Sequence, residues 1–348
     1  MYLTKESPEV RKIIDEIEEV RGDRSEKQLD LSVSLYELAQ SHGDKALKDY
    51  ANCALGEACC QNHDFMQAIY YLSSGIDGVI EAGEDLLACR CLNEIGIIMR
   101  HESNYISSGE AFMRCIRLAH ANRFYQYEAI ASSNMAALCE QLGDFEDALN
   151  YRYDAIRVFD NCGDFPNKDS YIIGVMSYLV MIYCIQGDRK KADNCYKQLM
   201  DLVRSSKNED RSFELTIANV YYHHLTEDRQ KENEACEEAI GYFFDCEDYM
   251  IYFDETFSLF QYMFKEKKYD RMLEMFKHFE SVSVEEEMLN HHMLIEQMKM
   301  DIYEEIGMHE EACQAAFRYS QLNKKKNLEL KDSVAMVIKI QSENMRHR

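Results

Sequence analysis

Proline is nearly absent and glycine is scarce. The 348 residues hold 2 Pro and 14 Gly, where average usage gives roughly 17 and 24. An all-β chain needs such residues at its many turns, so the shortage excludes one and points to long helices. Positive charge is in deficit too: 63 Asp and Glu stand against 39 Lys and Arg, a formal charge of -24. Binding to nucleic acid through bulk charge needs a basic footprint, and anionic membranes attract basic segments. Neither is expected as a partner. No CxxC pair occurs. The 13 cysteines are scattered singly and odd in number; Cys59 and Cys60 are adjacent, and one residue separates Cys89 from Cys91. Neither spacing is usual for zinc, and a disulfide framework belongs to small secreted domains. These cysteines read as small buried hydrophobes in a reducing compartment.

Long apolar runs are also missing. The most apolar window, Tyr171 to Ile185, has 15 residues and includes Gly174 and Ser177, short of the roughly 20 that span a bilayer. It reads as a buried helix. The N-terminal MYLTKESPEVRK has no apolar core of a signal peptide, so a cytoplasmic location is expected. No phosphate loop, GxGxxG, GxSxG or HExxH appears. His309-Glu310-Glu311 lacks a second His, and the pairs His223-His224 and His291-His292 are helix neighbours that do not face each other. The acidic residues are spread over the chain without an obvious catalytic pair. The expectation is a non-catalytic protein with no cofactor and no metal site. Its 46% of hydrophobic residues is enough for a buried core and excludes disorder throughout.

What is present is a repeat. Segments opening at Ala54, Glu94, Asn134, Tyr178, Ala218, Ser258 and Met298 share one pattern, at steps of 40, 40, 44, 40, 40 and 40 residues. Their third place holds Gly56, Gly96, Ala136, Val180, Val220, Phe260 and Met300. The sixth holds Cys59, Met99, Cys139, Tyr183, His223, Met263 and Tyr303. An aromatic is frequent at the twelfth (Phe65, Tyr105, Phe145, Tyr269), and a small residue at the fifteenth (Ala68, Ser108, Ala148, Ala192, Ala312). Apolar residues three and four apart form one helical stripe, and small residues let a second helix approach. Gly143-Asp144 and Gly187-Asp188 fall where the first helix must stop. Each unit is a helical hairpin that buries its stripe only by stacking on its neighbours.

These residues resemble the tetratricopeptide repeat. Asn134-Met135-Ala136 followed by Gly143-Asp144-Phe145 and Ala148 is the best match, with Gly187-Asp188, Ala192 and Tyr196 next. The segment opening at Ala218 departs from it, with Arg229 and Glu232 where an aromatic and Ala are expected. The period resembles the longer-helix variety of bacterial regulatory proteins and kinesin light chains. The fold expected is all-α, a right-handed superhelical solenoid of about eight hairpins. It covers residues 1–322, and a C-terminal capping or linker helix follows at 323–348. The first hairpin, residues 9–41, is a divergent cap whose helices carry Val10, Ile13, Ile14, Ile17 and Val20, then Leu29, Leu31, Val33, Leu35 and Leu38. The 44-residue step contains Asn161 to Pro166, a longer loop that is either a bend or a tolerated insertion. From Gln321 onward seven Lys or Arg face three Asp or Glu, a net +4, so the preceding residues carry -28 of the total -24.

The resemblance implies a concave face lined by the first helices. Their outward positions hold Arg90, Asn93, Arg100, Ser133, Asn134, Ser177, Tyr221, His224, Gln261 and Gln297. Asn, Gln and Arg suit an extended peptide backbone because they donate and accept in fixed pairs. A protein or peptide ligand in that groove is the expected partner. The absence of a repeated Lys/Asn set argues against the carboxylate clamp of chaperone-binding members. The ending QLNKKKNLELKDSVAMVIKIQSENMRHR resembles the segment that follows the repeats in bacterial GGDEF diguanylate cyclases, although no GGDEF sequence occurs here. That resemblance implies the signal-receiving part of such a protein. A second reading is a peptide-pheromone receptor like the quorum-sensing regulators with similar repeats, although repeats beginning by about residue 9 leave no room for their N-terminal effector domain. A third is a plain assembly scaffold. An apolar stripe at Leu330, Val334, Val337, Ile338 and Met345 would favour a homodimer through the last helix.

Overall fold

The computed structural model describes residues 7–21, 26–163, 165, 167–206, 212–246, 249, 252–285 and 288–346, and side chains as far as 328 and at 331. Among these, every regular element is a helix. The order is α1 (Pro8–Glu19), α2 (Glu26–His42), α3 (Lys45–Gln61), α4 (Phe65–Glu81), α5 (Asp85–His101), α6 (Tyr105–Asn122), α7 (Tyr125–Gln141) and α8 (Phe145–Asn161). Then come α9 (Lys168–Ile185), α10 (Arg189–Ser205), α11 (Phe213–Leu225), α12 (Arg229–Phe244), α13 (Phe253–Lys265), α14 (Tyr269–Val282), α15 (Leu289–Glu305) and α16 (His309–Arg346). Paired in order they are eight hairpins, the all-α repeat expected.

The turns explain the period. His63, Ser103, Gly143, Gly187, Glu227, Lys267 and Gly307 each take a left-handed conformation, with φ between 56° and 80°, at the end of a first helix. At Gly143 the next two backbone groups close the helix: its own N–H donates to Glu140 O and that of Asp144 to Cys139 O, at 3.0 and 2.9 Å. One residue later the second helix is capped by Asp64, Asn104, Asp144, Asp188 or Asp228, each accepting a backbone N–H three residues on. A second left-handed series, Gly43, Gly83, Arg123 and Asn167, lies between hairpins. The long step falls in that series, between Arg123 and Asn167.

The chain divides there. One compact unit comprises Met1–Cys162 with Glu329–Arg348, the other Gly163–Leu328. The irregular loop therefore coincides with a unit boundary, whereas no break occurs in α16 between residues 322 and 323. Residues 164 and 166 of the loop lie outside the described residues.

In the first unit the hairpins close through small residues. A Cβ on Gly56 would lie 2.6 Å from Leu72, and one on Gly96 would lie 2.4 Å from the Phe112 ring. Ser108, fully buried, donates to Gly96 O at 2.8 Å. Cys53, Cys59, Cys60, Cys89, Cys91 and Cys115 are buried in the same core as free thiols. In the first hairpin α2 is turned from the expected face. Gln28, Ser32, Leu35 and Ala39 are buried and Val33 is exposed, because 3.6-residue spacing groups 28, 32, 35 and 39.

In the second unit, aromatic rings fill the interior. Phe243, Phe260, Phe276 and Phe279 are buried, with Phe243–Phe260 centroids 5.5 Å apart and Phe260–Phe276 5.0 Å apart, edge to face. Tyr249 joins them at 5.1 Å from Phe243 and 5.0 Å from Phe279. Such pairs add roughly 0.5–1.5 kcal/mol each beyond the burial itself. The apolar helix α9 is long enough to cross a membrane by length and composition, but 56% of it is buried inside the fold, as the reading of Tyr171 to Ile185 expected. On α16, Phe317 and Leu328 are exposed; the apolar positions from Leu330 to Met345 lie outside the described side chains.

Candidate functional site

First helices of successive hairpins pack side by side within each unit: α3 on α5 and α5 on α7, then α9 on α11 and α11 on α13. Each row of first helices therefore presents one face that crosses several repeats.

In the first unit that face carries a charge network. Glu57 on α3 is buried and accepts from Arg90 Nε of α5 at 3.0 Å and from Arg21, which follows α1. Glu18 of α1 accepts from Arg21 at 2.6 Å and from Arg90 at 3.2 Å. Burial works to raise the Glu18 carboxyl, but the two guanidinium groups outweigh it and hold it below its ordinary value. Removing one member of such a set strands its partner, which is what makes buried pairs costly to break. One repeat on, Asn134 of α7 donates to Asn93 of α5 at 2.8 Å. Arg152 of α8, itself buried, donates to Glu140 at 2.9 Å and to Ser133 at 2.7 Å.

The second unit differs in chemistry. Tyr221 of α11 donates to Ser258 O of α13 at 2.9 Å. Tyr178 of α9 donates to Glu255 of α13. Glu255 is buried, and its other oxygen has no hydrogen-bond partner among the described residues. Burial first, then the neighbouring charges of Glu214 and Asp254, push its carboxyl up to about 8. The other six in-phase repeats place Ala51, Cys91, Ala131, Val175, Leu215 and Ile295 at the equivalent position, all buried. A carboxyl thus stands at a core position. Farther along, His224 of α11 meets Glu232 of α12 at 2.8 Å, Tyr262 of α13 donates to Glu232 at 2.7 Å, and Arg229 lies 2.9 Å from it.

The ten residues expected at the face fall into two sets of five. Arg90, Asn93, Arg100, Ser133 and Asn134 belong to the first unit, and Ser177, Tyr221, His224, Gln261 and Gln297 to the second. Gln261 alone among them is exposed. Asn93, Arg100 and Ser177 are buried rather than outward, because their helical phase turns them into the contact between neighbouring helices; the Ser177 hydroxyl has no hydrogen-bond partner among the described residues. Gln297 donates within its own helix to Asp301 at 3.1 Å. Glu57, Arg21, Glu140 and Arg152 were not anticipated, nor was Glu255. The signal for Glu255 was available: a charge at a position that is apolar in the other six in-phase repeats.

Among solved structures, the chain is similar to the apo form of the quorum sensor NprR from B. thuringiensis, at 14% identity over 92% of this chain and 90% of that one, with a TM-score of 0.60. It also matches a Rap protein complexed with competence and sporulation factor, at 13% identity over 92% and 98% of the two chains and a TM-score of 0.49. A third match is BtubC (BKLC) from P. vanneervenii, at 15% identity over 62% and 89%, also with a TM-score of 0.49. No family model and no curated protein matches the chain. At such identities the likeness to NprR shows a shared fold, and the hairpins are of the tetratricopeptide type.

Proposed function

We propose that the protein is a non-catalytic regulator that takes up a peptide or an extended protein segment along its first helices and answers to that ligand. The observation that carries this is the pairing of Asn93 with Asn134 across adjacent first helices. Asn93, buried, holds the Asn134 amide in place, and half-buried Asn134 keeps its carbonyl oxygen for a peptide N–H running across the repeats. The fold likeness extends over 92% of the chain to a protein described as a quorum sensor, and this supports the peptide-receptor reading over a plain scaffold. The linker reading, in which the array feeds a diguanylate cyclase, rests on the basic ending and on α16, whose 38 residues span about 57 Å at 1.5 Å per residue.

A thermal-shift screen with short synthetic peptides tests the proposal. Saturation near 100 times the dissociation constant stabilises the folded state by about 2.7 kcal/mol. A shift that disappears in an Asn93→Ala/Asn134→Ala double variant with unchanged helicity supports it. Stabilisation by a folded partner and by no peptide would favour the scaffold.

A further inference from the structure

The segment opening at Ala218 departs from the repeat at Arg229 and Glu232, and these converge in space with His224 and with Glu266 of the next segment. Glu232 occupies the fifteenth place, where other hairpins bury Ala68, Ser108, Ala148, Ala192 and Ala312. Its side chain is 2% exposed. His224 closes α11 beside it, and Glu266, just past α13, completes the group: one ligand atom from each lies within 4.8 Å of the others. His224 Nδ1 is 2.8 Å from Glu232 and 3.8 Å from Glu266. Ligands at about 2.0–2.2 Å from a first-row metal ion are themselves roughly 3–4 Å apart, so the three atoms need little movement to share one ion.

Positive charge is already drawn to this point. Arg229 lies 2.9 Å from Glu232 and 3.5 Å from Glu266, yet its side chain is 65% exposed and is tethered only at the first turn of α12. A carboxylate buried where a small residue normally packs requires a compensating cation, and an exposed arginine is a replaceable one. Tyr262 donates to Glu232 at 2.7 Å and fixes the direction of its carboxylate. We propose that His224, Glu232 and Glu266 form a binding site for a divalent metal ion of the manganese or zinc class, with Arg229 holding the position in its absence and swinging out when the ion enters. One imidazole and two carboxylates suit such ions, and the remaining positions would be water. Tyr262 supports the site by orienting Glu232 rather than by ligating.

Titration of the full chain with Mn²⁺, followed by loss of the free-ion paramagnetic resonance signal, tests the assignment without reliance on thiols, which favour softer metals. One Mn²⁺ per chain is expected, displaced by Zn²⁺. Glu232→Gln and, as an independent variant, His224→Gln should each weaken binding at least 100-fold while helicity by circular dichroism is retained. Arg229→Met should tighten binding, because the ion no longer competes with the guanidinium. The proposal is overturned if the wild-type chain takes up no Mn²⁺, if both ligand variants bind as the wild type does, or if Arg229→Met leaves the affinity unchanged or lower.

Discussion

In the first unit the helices of a hairpin touch through Gly, Ala and Ser; in the second they are held apart by Val, Phe and Met. The third place of the repeat shows the change most clearly, from Gly56, Gly96 and Ala136 to Val180, Val220, Phe260 and Met300. The backbones of α3 and α4 accordingly run close along their length, whereas those of α13 and α14 approach at few points. The polar residues differ as well. In the first unit the buried carboxylate Glu57 pairs with Arg90 and Arg21, and Asn134 bonds to Asn93, so neighbouring first helices are tied by these groups. In the second, buried Glu255 accepts from Tyr178, and buried Glu232 from Tyr262 and Arg229. Both units bury carboxylates, with arginines around Glu57 in one and tyrosines on Glu255 and Glu232 in the other.

The largest expected effect is on the aromatic interior. Phe260→Ala removes a ring packed edge to face on Phe243 and Phe276 and should cost about 3–5 kcal/mol. Hydrogen exchange read by mass spectrometry should place the lost protection in α11 to α15 and leave α3 to α8 unchanged. The first unit is tested in the opposite sense, by adding volume. Gly96→Val drives a side chain into the Phe112 ring and should cost about 3 kcal/mol, the upper part of the overpacking range, with protection lost in α5 and α6. Equal loss in both units from either variant would show that the two cores do not respond separately.

Glu255 sharpens the contrast through pH. Folded, it keeps its proton up to about pH 8; unfolded, it releases it near its ordinary 4.5. Between those values the folded state binds the extra proton, so stability falls as pH rises through the window. Glu255→Gln keeps the shape and removes the titration. It should stabilise the second unit at pH 8 by on the order of 1–3 kcal/mol and do little at pH 4.5, which thermal melts at the two pH values would resolve. A slope equal to that of the wild type would assign the pH dependence to other groups.

The repeat, its period and the all-α class were legible because the hairpin is copied seven times, and weak preferences in phase add up. The turn at Gly143-Asp144 was readable for the same reason, since glycine and a capping aspartate each have a local physical cause. The facing residues were less so. Asn93, Arg100 and Ser177 were assigned outward and are buried, because a difference of one residue on a helix is 100° of rotation, and an aligned repeat fixes order more tightly than it fixes phase. Glu57 with Arg21 was invisible for another reason: the partners are 36 residues apart, one in the divergent first hairpin, where no repeat pattern guides the eye.

The smallest effect separates the units least, since both use the same left-handed turn. That conformation costs a residue with a Cβ roughly 1–2 kcal/mol, yet the series includes His63, Ser103, Glu227 and Lys267 alongside Gly143, Gly187 and Gly307. Replacing Glu227 by Gly relieves that cost but frees the unfolded chain, which returns about 0.4–1 kcal/mol, for a net gain of about 0.5–1 kcal/mol. The reverse exchange, Gly143→Ala, adds the strain to a turn that now lacks it and meets no neighbour within 4 Å, so it should cost about 1 kcal/mol with no packing change. Urea melts of the two variants should therefore shift in opposite directions by similar small amounts. A destabilised Glu227→Gly chain would mean that this turn is held by something other than its backbone, and the neighbouring Arg229 and Glu232 would be the first contacts to probe.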